Sequence, residues 1–157
     1  MKGHRLAKER MMRDYTKIKA FQKADDLVVR VYQVTQTWPK EEQYGLTSQV
    51  RRAAVSVASE IVEGSGRRHL TEYLQFTNRG YTSLREVGYQ LYLGHRLGYV
   101  DDATYAEIKA MHEEAIRVLW GLVETIAGQL GQHSVFEMLK EERADYVFGE
   151  RSADSMP

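Results

Sequence analysis

From Leu46 to Arg68 the chain reads LTSQVRRAAVSVASEIVEGSGRR, a helical pattern that is apolar on two sides. Leu46, Val50, Ala53, Ala54, Val57 and Ile61 recur at spacings of three and four and make one face. Val55, Ala58 and Val62 form a second strip on nearly the opposite side, and only Arg52, Ser56, Ser59 and Glu63 remain polar between them. A helix with two apolar sides needs two packing partners. Its own bundle supplies one, and a neighbouring subunit is the expected second. Thr47 or Ser48 is the expected N-cap. Gly64 and Gly66 are read as ending the helix, with positive φ open to both.

Three more segments share this periodicity, and β-branched alternation is scarce. The first helix is expected over 20–37, with Phe21, Ala24, Val28, Val31, Tyr32 and Thr35 inward. Trp38-Pro39 closes it, because a residue before proline is biased away from helical angles. The third is expected over 71–97, capped by Thr71 and ended by Gly98, with Tyr73, Phe76, Thr77, Leu84, Val87 and Leu91 inward. The fourth is expected over 102–127, capped by Asp101 or Asp102, with Ile108, Met111, Ala115, Leu119, Leu122 and Ile126 inward. Four long amphipathic helices with short connections give an all-α, antiparallel up-down bundle spanning 20–127.

The flanks differ from that body. Residues 1–20 hold seven Lys/Arg against two Asp/Glu, and residues 134–157 hold three against six. A net charge of zero therefore conceals a basic arm over 1–19 and an acidic tail over 128–157. Within the tail, Ser134–Arg143 has the pattern of a short amphipathic helix through Val135, Met138 and Leu139. Absence of cysteine excludes disulfides and thiolate chemistry and suits a reducing compartment. No run approaches the ~18 apolar residues of a membrane span. Together these give the expectation of a cytoplasmic protein without membrane contact.

Catalytic and metal motifs are missing. None of His4, His69, His95, His112 and His133 falls in HExxH or in the Glu-x-x-His pairing of di-iron bundles. Ser56 and Ser59 lie mid-helix, with no strained turn to present a nucleophile. Gly64-Ser65-Gly66 lacks the Gly-Lys-Ser/Thr of a phosphate loop, so a helix-ending turn is preferred. Its backbone N–H groups could still face an anion beside Arg67 and Arg68. The expectation is a non-enzymatic protein without cofactor or metal.

Arginines carry the remaining signal. Arg52, Arg67, Arg68 and the arm residues Lys8, Arg10, Arg13, Lys17 and Lys19 are candidates for nucleic-acid phosphates, RNA in particular. Arg51 lies with Val55, Ala58 and Val62 on the second apolar strip, which suits a subunit contact with a carboxylate. On the third helix Tyr81, Arg85, Tyr89, Tyr92 and Arg96 fall within about 80° of arc. Aromatics interleaved with arginines suit a protein interface or single-stranded bases, and both readings stand.

These residues also carry a resemblance. Pro39, Glu42, Tyr44-Gly45-Leu46, Gln49, Arg51-Arg52-Ala53, Ser56 and Glu63-Gly64 follow the signature of the 23S rRNA intervening sequence proteins. Glu72, Phe76, Ser83, Leu84, Glu86, Leu91 and Leu97-Gly98-Tyr99 resemble that family's third helix. The chain departs at Glu60, where an amide is usual, and at Tyr81-Thr82, where small residues are common. The resemblance implies a four-helix bundle that assembles as a homopentameric ring without enzymatic activity. A related branch, the accessory variability determinants of diversity-generating retroelements, implies a reverse transcriptase and its template RNA as partners.

Overall fold

The structure is a computed structural model and describes residues 12–131. Lys8, Arg10 and the expected short helix over 134–143 lie outside the described residues. Four helices follow one another: α1 Lys19–Thr35, α2 Leu46–Ser65, α3 Leu70–Arg96 and α4 Asp102–Leu130. Short 3-10 turns at Tyr15–Lys17 and Lys40–Glu42 precede α1 and α2. Each helix packs against the next, and α4 closes back on α1, so the bundle has four inter-helix faces. No strand occurs among the described residues.

Helix ends follow local chemistry that the sequence reveals unevenly. Asp101 caps α4 as expected: its carboxylate accepts from the Thr104 N–H at 2.7 Å and the Thr104 hydroxyl at 3.1 Å. Neither Thr47 nor Ser48 caps α2. Gly45 takes the N-cap position, and the Glu42 carboxylate accepts from the Leu46 N–H at 2.8 Å. Thr47 is instead buried. The N-cap of α3 is His69 rather than Thr71 and makes no side-chain cap bond. α4 continues past the expected residue 127 to Leu130 and stops at Gly131 with φ +82°.

The core is one apolar column through all four helices. Leu27, Val31, Val50, Val57, Ile61, Leu84, Val87, Leu91, Ile108 and Leu119 are at most 1% exposed. Burial of such a side chain contributes about 1.5–3 kcal/mol. Tyr73, Leu74, Val123 and Ile126 form a second cluster where the start of α3 meets the end of α4. The core face of α2 is the one its spacing predicts. The face of α1 is partly as expected: Ala24, Val31 and Thr35 are buried, but Ala20, Leu27 and Val34 join them, while Phe21 and Val28 are half-buried and Tyr32 is exposed. Phe21 and Val28 instead flank the groove toward α2.

Glycine at position 64 serves closeness rather than a turn. It is helical and buried, and a Cβ there would lie 2.9 Å from the Phe76 Cβ and 3.1 Å from the Tyr73 ring. Gly66 has φ −81°, so neither glycine uses positive φ. Gly64 lets α2 and α3 approach each other at the corner where the chain reverses.

Candidate nucleic-acid interface at the α2–α3 corner

At this corner the N-terminal segment folds back onto the bundle. The Arg13 N–H donates to the Ser65 carbonyl at 3.3 Å, and its Nη1 donates to the Arg67 carbonyl at 3.1 Å. The same guanidinium lies 4.4 Å from the centroid of the Tyr73 ring. Burial raises the Tyr73 phenol above its ordinary pKa, with Arg13 opposing that shift. Two further arginines, Arg67 and Arg79, lie over Phe76 at 4.6 and 4.2 Å. Arg79 Nε also stands 3.5 Å from Glu60 Oε2, an ion pair without hydrogen-bond geometry. Cation–π placement over a ring holds a guanidinium plane while leaving its N–H edge open.

This geometry sorts the predicted phosphate ligands. Arg67 and Arg68 are exposed at the corner, beside the exposed His69. Arg13 is an anchor, bound to backbone and ring. Lys17 is exposed and stands 3.7 Å from Asp14, whose carboxyl is held below its usual range chiefly by the Thr16 hydroxyl. Lys19 is exposed in the first turn of α1. Arg52 is exposed nearer the start of α2, in a shallow polar groove with Gln49, Ser56, Ser83 and Glu86. Backbone N–H groups in the Gly-Ser-Gly turn are partly committed: Gly66 donates to Glu63 and Arg67 to Gly64. This removes two of the donors that an anion-binding turn would present. Sequence reasoning missed Arg79, Tyr73 and Phe76 as members of this cluster. The spacing of Tyr73 and Phe76 on α3 marked them as core, and only the fold brings these rings to Arg13 and Arg67.

The predicted interface residues divide between two sides of the bundle. Val55 is exposed, Ala58 and Val62 are half-buried, and all three line a groove of about 500 Å³ between α1 and α2. Tyr15, Phe21 and Val28 complete its apolar wall. Arg51 is engaged within its own chain: Nε donates to Thr35 Oγ1 at 2.8 Å, and the guanidinium lies 4.7 Å from the Tyr32 ring centroid. The Tyr/Arg stripe of α3 splits. Tyr81 packs on Trp120 at 5.1 Å, and with Arg85 it lines a groove between α3 and α4. Tyr89 is 62% exposed, and Arg96 lies 5.8 Å from the Tyr92 ring.

The face between α1 and α4 is different again. Arg30 pairs with both oxygens of Glu107 at 2.9 and 3.1 Å, and Lys23 pairs with Glu114 at 3.0 Å. Among the described residues, no group of three or more His, Asp or Glu side chains gathers as a metal ion would require. No described helix is long and apolar enough to cross a membrane.

The family model for 23S rRNA-intervening sequence proteins matches residues 16–121, most of the chain and of its four-helix body. The chain belongs to that family. A similar solved structure is a protein of unknown function from the S23 ribosomal protein family of Bacteroides thetaiotaomicron, with a TM-score of 0.62 and 19% identity. The match covers 67% of this chain and 95% of that one and supports the shared fold. No curated protein matches. The family match begins inside the N-terminal segment and stops within α4, so Arg13 and the acidic tail lie outside it.

Proposed function

We propose that the chain is a non-enzymatic RNA-binding scaffold that works as a homo-oligomeric ring, in keeping with its family's name. The observation that carries RNA binding is the α2–α3 corner, where Arg67 and Arg79 flank Phe76 and Arg13 tethers the basic arm beside Arg67 and Arg68. Planar guanidinium groups with open N–H edges suit phosphate oxygens.

The ring reading draws on two apolar faces. The α1–α2 groove and the outer aromatics Tyr89 and Tyr92 of α3 belong to different sides of the bundle and differ in composition. Unlike faces that meet head to tail give heterologous contacts, which close into rings when the rotation permits; a pentamer is our proposal. Such a ring would repeat the arginine corner around one rim, which offsets the chain's zero net charge. Tyr89 and the Tyr92–Arg96 pair also favour a second reading, in which a protein such as a reverse transcriptase docks there with its template RNA.

Light scattering on the purified protein, with its 260/280 nm absorbance ratio, tests both parts. A five-subunit mass with co-purifying RNA that high salt removes is expected. A monomer with no nucleic acid at low salt would overturn the proposal.

A further inference from the structure

We infer that the groove between α3 and α4 binds a nucleotide, a flat heterocycle with amino or imino N–H donors joined to a phosphate. This groove is separate from the arginine corner, and the inference does not rest on RNA binding there. Its volume is about 420 Å³, within the range of small-ligand pockets. His112 gives the groove a fixed acceptor. Its Nε2 lies 2.7 Å from the Leu84 carbonyl, which can only accept, so Nε2 donates. In the neutral ring Nδ1 then carries the lone pair, and no described residue donates to it. Gly88 makes this seat possible, since a Cβ there would lie 2.5 Å from the imidazole.

Two aromatic rings wall the groove, and each is backed by another. Tyr81 packs on Trp120 at 5.1 Å, and Tyr105 stacks on His95 at 4.1 Å with 6° between the ring planes. Both tyrosines are half-buried, so they have little side-chain freedom left to lose when a flat ring packs against them. Charge selects the phosphate. Arg85 is exposed on the wall and has no ion-pair partner among the described residues. Lys109 stands 3.6 Å from Glu113, a pair exposed on both sides and therefore weak. Arg85 can hold a phosphate through two parallel N–H···O bonds, and Lys109 can turn to it from that weak pair. Glu113 opposes an anion here, and the two cations outnumber it. A heterocycle alone or a phosphate alone satisfies only part of this lining.

Adenosine 5′-monophosphate, titrated calorimetrically into the full-length protein, is the probe. Arg85→Ala should weaken its binding at least about tenfold through the loss of one charge-assisted contact. Arg117→Ala removes an exposed cation outside the groove wall and should leave the affinity unchanged. Adenosine and inorganic phosphate, each alone, should bind more weakly than the nucleotide. Of the two tryptophans, Trp38 is buried and Trp120 stands beside Tyr81. The nucleotide should therefore change the emission of the parent protein and not that of Trp120→Phe. Arg67→Ala/Arg68→Ala should leave nucleotide affinity unchanged, which separates this groove from the corner. A single-stranded oligoadenylate run in parallel identifies the source. If Arg85→Ala weakens both ligands, the groove takes a nucleotide of RNA; if it weakens the mononucleotide alone, the groove takes a free one. No binding of the mononucleotide, equal affinity in Arg85→Ala, or phosphate that binds as tightly as the nucleotide would each overturn the inference.

Discussion

Substituting alanine at glycines 64 and 121 should change stability in opposite directions, although both are helical. Replacing glycine by alanine inside a helix gains about 1 kcal/mol from backbone entropy. At Gly121 nothing lies within 4 Å of the added Cβ, so that gain is unopposed. At Gly64 the new methyl meets the Phe76 Cβ at 2.9 Å and the Tyr73 carbonyl at 3.4 Å. These atoms sit on or beside the α3 backbone and cannot rotate away as a flexible side-chain end can. Relief requires α2 and α3 to separate, an overpacking cost of about 1–3 kcal/mol. The net expectation is a loss of up to about 2 kcal/mol for Gly64→Ala and a gain of about 0.5–1 kcal/mol for Gly121→Ala. Urea unfolding followed by circular dichroism, at one fixed protein concentration, measures both. If Gly64→Ala stabilises as much as Gly121→Ala, the close approach of α2 and α3 is not what the glycine provides.

Other expected outcomes follow from single contacts. Glu42→Ala removes the α2 cap and the 3.2 Å acceptor of the Tyr99 hydroxyl, and should cost about 1–2 kcal/mol in the same urea assay. Asp101 has its pKa lowered, first by the Thr104 backbone N–H. Its stabilising effect is therefore full above the unfolded-state carboxylate pKa and is lost as pH falls through the lower folded value. Asp101→Asn should flatten that acid-side part of a urea-midpoint-versus-pH curve, and an unchanged curve would refute the capping assignment. Arg30→Ala removes a two-point ion pair across α1 and α4 and should cost under about 1 kcal/mol, less at high salt.

Fold and site were legible to different degrees, for physical reasons. Burial in α2 follows apolar spacing because that helix is packed on its main face by small and β-branched residues of similar size. In α1 the spacing is equally regular, but Phe21 and Val28 border a groove and Tyr32 is exposed, while Ala20 and Leu27 face the core. Residue size cannot reveal which stripe points inward when a groove also accepts apolar groups. Caps were readable at Asp101, where the acceptor is adjacent in sequence, and unreadable at α2, where Glu42 reaches across a 3-10 turn. Arg67 and Arg68 announced the corner from sequence alone. The ring-stacked roles of Arg13 and Arg79 depend on segments 54 and 12 residues away meeting Arg67 and its neighbour Phe76, which periodicity does not encode.

The central claim is that the α2–α3 corner holds RNA phosphates. Its most direct test is RNA affinity measured across a salt series for the protein and for the Arg67→Ala/Arg68→Ala variant. The account expects log affinity to fall linearly with log salt, and the variant to bind more weakly with a slope smaller by about 2. Affinity that ignores salt, or a variant whose affinity and slope match the parent protein, would contradict it.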